Sequence, residues 1–99
     1  MPKPEEILDF VIRTKAALIQ LKGELTRKNP LARSRIDADF NQLMSILDSI
    51  EVHTKNRDIR GFRDALSRFL SMLYYLSRDY PELTDAIDAV EIQALMSDP

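Results

Sequence analysis

Apolar residues recur at alternating intervals of three and four positions along three long stretches of the chain. Such spacing places each series on one face of an α-helix, whereas a half-buried strand would alternate between apolar and polar positions. The three series are Ile7, Val11, Thr14, Leu18, Leu21 and Leu25; Ile36, Phe40, Leu43, Leu47, Ile50 and Thr54; and Ile59, Phe62, Leu66, Phe69, Leu73, Leu76 and Tyr80. The pattern predicts three long amphipathic helices.

Proline and capping residues mark the ends of these stretches. Pro4 suits a first helical turn, and Asn29 followed by Pro30 ends the first helix. Ser34 with Asp37 three residues later resembles a capping box at the start of the second helix. The predicted helices span approximately residues 4–28, 35–52, 57–79 and 82–95.

Connections of only a few residues favour antiparallel neighbours. We therefore predict an all-α fold: one domain over residues 1–99, built as an antiparallel helical bundle of three long helices plus a short C-terminal fourth helix. The apolar arc of the third helix contains no charged residue, which makes Phe69 a candidate for the centre of the core.

Composition narrows the chemistry. The chain has no cysteine and one histidine, so disulfides, thiolate metal sites and multi-histidine clusters are excluded. The N-terminal residues include acids where a signal peptide would be apolar, and no stretch is long enough for a membrane span. We expect a cytoplasmic protein with no cofactor, no metal and no membrane association.

The net charge of −2, from 14 basic and 16 acidic residues, hides a strong alternation along the chain. Residues 1–35 carry +4, residues 36–51 carry −4, residues 52–80 carry +3 and residues 81–99 carry −5. The near balance makes a nucleic-acid partner unlikely, because such binders are typically strongly basic. In a bundle, the alternation sets basic helices beside acidic ones.

Two lysines, Lys15 and Lys22, fall inside the broad apolar arc of the first helix, which extends from Phe10 to Ile12. One interpretation is that their aliphatic stems cover the core while their ammonium groups reach water or pair with an acid such as Asp39. The alternative is an anion or substrate pocket within the bundle of a small all-helical enzyme.

A basic segment, Arg27–Arg35, joins the first two helices and also contains Lys28 and Arg33. Its position at a helix N-terminus makes it a candidate for phosphate or weak nucleic-acid binding. The alternative interpretation is that these charges complement helix dipoles and face solvent.

Two apolar features lie away from the core faces and form the candidate partner interface. Tyr74, Tyr75 and Arg68 lie on the outward side of the third helix, and tyrosine and arginine are frequent in interface hot spots. The other candidates lie on the fourth helix: Ile92, Leu95 and Met96.

No nucleophile with a plausible base, phosphate loop or metal-ligand spacing is present, so no catalytic residue is assigned and no enzymatic activity is expected. The sequence favours a small helical-bundle protein that binds another protein or a second copy of itself as a homodimer. Adaptors, chaperones, antitoxins, immunity proteins and assembly subunits share this size and helix content. The identity of the partner and the oligomeric state stay open.

Overall fold

The computed structural model describes residues 2–97, and these residues form the all-α bundle that the hydrophobic spacing predicts. Strands are absent from this part of the chain. The helices are α1 (Pro4–Lys28), α2 (Arg33–Lys55), α3 (Ile59–Leu76), α4 (Leu83–Ala86) and α5 (Ala89–Ser97), with one 3-10 turn at Pro30–Ala32.

The three long helices pack in sequence order, with α2 between α1 and α3. Ion pairs show that α1 and α2 run antiparallel, since Lys15 lies beside Asp48 and Lys22 beside Asp37. The short C-terminal helices close the opposite side of the bundle, where α4 contacts α1 and α5 contacts α3. No helix within residues 2–97 is both long and apolar enough to cross a membrane.

Aromatic side chains occupy the centre of the core, and all four phenylalanines are at most 1% exposed. The rings of Phe10 on α1 and Phe69 on α3 meet edge to face, with centroids 6.4 Å apart. The ring of Phe40 on α2 packs in the same way against Tyr80, at 5.4 Å. These pairs join the helices across the bundle.

Two helix boundaries differ from the capping prediction. Helix α2 begins at Arg33, directly after the 3-10 turn, and no side chain caps its N-terminus. The predicted cap at Ser34 is therefore wrong, because the 3-10 turn leads directly into Arg33 and leaves Ser34 inside the first turn of α2. Helix α3 is capped instead by Asp58, whose Oδ1 accepts a hydrogen bond from the Gly61 amide at 2.9 Å.

The fourth helix is divided in two. Ile87 has extended backbone angles between α4 and α5, and Asp88 Oδ1 then accepts from the Val90 amide at 2.9 Å. The break directs Leu83, Ile87 and Ile92 into the core, where each is at most 4% exposed. One straight amphipathic helix would not bury all three side chains in the same core, because their spacing of four and five residues drifts around the helix surface.

Candidate functional site

A wide groove of about 880 Å³ lies between α2 and α3 and is the largest cavity that we describe within residues 2–97. It faces away from the side of α2 on which Asp37 and Asp48 pair with α1. Its walls are formed by Ala38, Asn41, Gln42, Ser45 and Ile46 on α2 and by Ser67, Arg68, Ser71, Met72 and Tyr75 on α3.

The groove exists because small side chains line both of its walls. Ala38 and Ser45 lie two turns apart on α2, and Ser67 and Ser71 lie one turn apart on α3. These side chains are too short to fill the space between the helices. The core ends beneath them at Ile46, which is 7% exposed.

The α2 wall of the groove is free of charge, although 30% of the residues in the chain are charged. An arc of about 100° on the outward side of α2 contains only uncharged residues at helical spacing. They are Ser34, Ala38, Asn41, Gln42, Ser45, Ser49 and Val52. Depletion of charge is the compositional mark of an interface core.

The α3 wall supplies the two residue types that most often anchor an interface. Arg68 and Tyr75 both line the groove, and Tyr75 is 63% exposed. Tyr74 is also half exposed and projects from α3 beside the groove. The structure thus brings together two of the three candidate interface residues of the third helix, Arg68 and Tyr75, and leaves Tyr74 outside the groove lining.

The candidates on the fourth helix occupy different surroundings. Ile92 is fully buried, and Leu95 and Met96 are partly buried against the core. Ile92 anchors α5 in the core, whereas Leu95 and Met96 keep part of their surface exposed. The break at Ile87 was not predicted, and it turns Ile92 into the core while Val90 stays 71% exposed.

Lys15 and Lys22 do not converge, because each pairs with its own carboxylate on α2. The Lys15 Nζ lies 2.5 Å from Asp48 Oδ1, and the Lys22 Nζ lies 3.2 Å from Asp37 Oδ1. Asp39, the expected partner, instead accepts a hydrogen bond from the Tyr80 hydroxyl at 2.6 Å. The lysines therefore link α1 to α2 along the outside of the bundle.

The basic segment is largely neutralised by neighbouring carboxylates. Arg35 donates to Asp79 at 2.8 Å, and Arg33 lies 3.9 Å from Asp37. Lys28 and Arg35 line a smaller cavity of about 280 Å³ that also contains Asp79. An anion entering this cavity would have to displace the carboxylate already bonded to Arg35.

Tyr80 lies beside this second cavity and is 7% exposed. Burial, followed by its hydrogen bond to the Asp39 carboxylate, raises the pKa of Tyr80 to about 12. Its protonated hydroxyl therefore acts as a donor that ties the connection between α3 and α4 to α2.

The α2–α3 turn contains a hydrogen-bonded cluster that the sequence did not reveal. The Asp58 carboxylate caps α3 through the Gly61 amide and lies 3.1 Å from His53 Nδ1. The Gly61 amide, and secondarily His53, lowers the pKa of Asp58. A Cβ atom at Gly61 would overlap the His53 ring and the Asp58 carboxylate, so glycine allows this close contact.

Two isoleucines on α1 form a further exposed apolar feature. Ile12 and Ile19 are 66% and 62% exposed and lie seven residues apart, on the side of Lys15 that faces solvent. The sequence placed Ile12 at the edge of the apolar arc, and the structure places it outside the core. Isolated exposed isoleucines are common on soluble domains.

No cluster of three or more potential metal ligands occurs within the described part of the chain. The chain matches no protein family, and the comparisons with curated proteins and with solved structures return no similar protein. The evidence for the candidate site is therefore the geometry and composition of the groove between α2 and α3.

Proposed function

We propose that the protein is a non-enzymatic interaction module of the cytoplasm that docks another protein in the groove between α2 and α3. The observation that carries this proposal is the combination of an 880 Å³ groove, an uncharged α2 wall and an α3 wall containing Arg68 and Tyr75. The proposal covers an adaptor, chaperone, antitoxin, immunity protein or assembly subunit, classes that share this size and helix content.

The energetics of the groove favour docking. Its α2 wall carries no ion whose desolvation would oppose association. The alanine and serine residues allow a partner backbone to approach closely, while the flexible side chain of Met72 adapts to the shape of what binds. The ring of Tyr75 provides a large contact area at a low cost in conformational entropy.

The two alternative functions receive less support from the geometry. A pocket built on Lys15 and Lys22 would require both ammonium groups to face one space, whereas each is paired with a different aspartate. Anion or nucleic-acid binding by the basic segment would have to compete with the bond between Arg35 and Asp79.

Site-specific photo-crosslinking tests the proposal. A photoreactive amino acid replaces Ser45 in the groove or, as a control, exposed Gln20 on α1, and the crosslinks are formed in cells of the native host. We expect a discrete protein adduct from position 45 that is absent at position 20. Equal labelling at the two positions, or none, would contradict a docking role for the groove.

A further inference from the structure

We infer that the occupant of the groove is a single amphipathic α-helix of another protein, with a carboxylate that faces Arg68 on α3. This inference rests on the proposed function and specifies the chemistry of the partner.

The dimensions of the groove fit one helix. Its lining spans residues 38–46 on α2 and residues 67–75 on α3, which corresponds to about 12 Å along each helix axis. A partner helix of two to three turns covers that length. The short side chains at Ala38, Ser45 and Ser71 leave room for its backbone, and Ile46 and Met72 offer it an apolar floor.

The charge in the groove favours a partner with an acidic group. Arg60 and Arg68 lie on the outward side of α3 with Asp64 between them, and Arg78 lies in the turn after the helix; of the three arginines, Arg68 lines the groove. Within residues 2–97, none of these three guanidinium groups lies within 4.0 Å of a carboxylate. Because the α2 wall is uncharged, the groove presents positive charge with no compensation from its own walls.

The place of Arg68 specifies the position of a partner carboxylate. Arg68 lies at the N-terminal end of the α3 wall, which runs from Ser67 to Tyr75. A partner helix of two to three turns that lies along α3 therefore needs a carboxylate near the end that faces Arg68.

A second copy of the chain fits the groove less well. Groove-to-groove packing around a two-fold axis would bring the arginines of the two copies together, with Asp64 as the acid on each side.

A nucleic acid fits less well for a different reason. A bound strand is best held by a groove with positive charge along the backbone, and the α2 wall contains no cation. Charge complementarity is therefore limited to one wall, which suits a helix with one acidic edge.

Mapping of the crosslinked segment tests the inference. The photoreactive amino acid at Ser71 is used to capture the partner, and mass spectrometry identifies the attached peptide. We expect an amphipathic helical segment with a carboxylate on the side that faces Arg68. The affinity of the purified partner is then measured for Arg68→Glu and for the matched control Arg63→Glu, which changes an exposed arginine outside the groove lining.

Arg68→Glu should weaken binding at least about tenfold, and Arg63→Glu less than about twofold. Changing the facing partner carboxylate to arginine should restore most of the affinity to Arg68→Glu. Circular dichroism checks that both variants keep the wild-type fold. Capture of an extended, neutral or basic segment, a nucleic acid or a second copy would overturn the acidic-helix inference but leave the groove as a docking site. Equal or absent labelling at Ser45 and Gln20 would overturn both proposals.

Discussion

Replacement of Phe69 by alanine probes the packing on which the whole bundle depends. Its ring is fully buried and meets Phe10 edge to face, so the substitution removes core contacts of α3 and one side of an aromatic pair. Truncation of a buried phenylalanine typically costs about 3–5 kcal/mol. A domain of this size has a total stability of about 5–15 kcal/mol, so the loss is a large part of the whole.

Thermal and urea unfolding, followed by circular dichroism, measure this effect. Since 1 kcal/mol corresponds to about 4–8 °C in a domain of this size, we expect Tm to fall by at least about 12 °C. Ser71→Ala is the matched control, because Ser71 is exposed on the same helix and its change should alter stability by at most about 0.5 kcal/mol.

The aromatic pair can be isolated by a double-mutant cycle with Phe10→Ala. We expect a coupling free energy of about 0.5–1.5 kcal/mol between the two positions. A loss below about 1 kcal/mol for Phe69→Ala, with an unchanged urea dependence, would refute the assignment of this ring to the centre of the core.

Three further predictions concern the contacts around the core. Tyr80→Phe removes the hydrogen bond to Asp39 and should cost about 1–2 kcal/mol in urea unfolding. Because the pKa of Tyr80 is raised to about 12, this bond should stabilise the fold fully below pH 10, and its contribution should be lost as the pH rises towards 12. The stability of Tyr80→Phe should therefore fall less between pH 10 and pH 12 than that of the wild type. Asp58→Ala removes the carboxylate that accepts from the Gly61 amide and should lower Tm at neutral pH. Because the pKa of Asp58 is lowered in the folded state, this difference in Tm should shrink as the pH falls below about 3.8. An equal difference at pH 2 would show that the charged carboxylate is not the source of the stabilisation. Ile92→Ala should lower stability by about 2–4 kcal/mol, and wild-type stability would show that α5 is not held by its core contacts.

The fold was predictable because hydrophobic spacing depends on the helical period alone. Every member of the first two apolar series is buried, as are Phe62, Phe69 and Leu73 in the third. Helix boundaries were harder to predict, because the start of α2 is set by a 3-10 turn and not by the hydroxyl of Ser34. Ile59 is the first residue of α3 and is 46% exposed, although its spacing places it in the third apolar series.

The candidate site was predictable only in part. Residue type alone singled out Arg68 and Tyr75, and both line the groove. The α2 wall was not predicted as part of a site, because a helix face of alanine, serine and amide residues has no marked hydrophobic pattern. The absence of charged residues on that face is the feature of the sequence that could have indicated it. The burial of Ile92 depends on the break at Ile87, which local sequence does not specify.

The most direct test of the docking groove is to fill it. Ser71→Trp places a large ring between the walls, whereas Gln20→Trp adds the same ring to α1, which contributes no residue to the groove. We predict that Ser71→Trp abolishes the crosslink from position 45 while the Tm stays within a few degrees of the wild type, and that Gln20→Trp leaves the crosslink intact. An undiminished crosslink in a folded Ser71→Trp variant would contradict the assignment of the groove as the partner-binding surface.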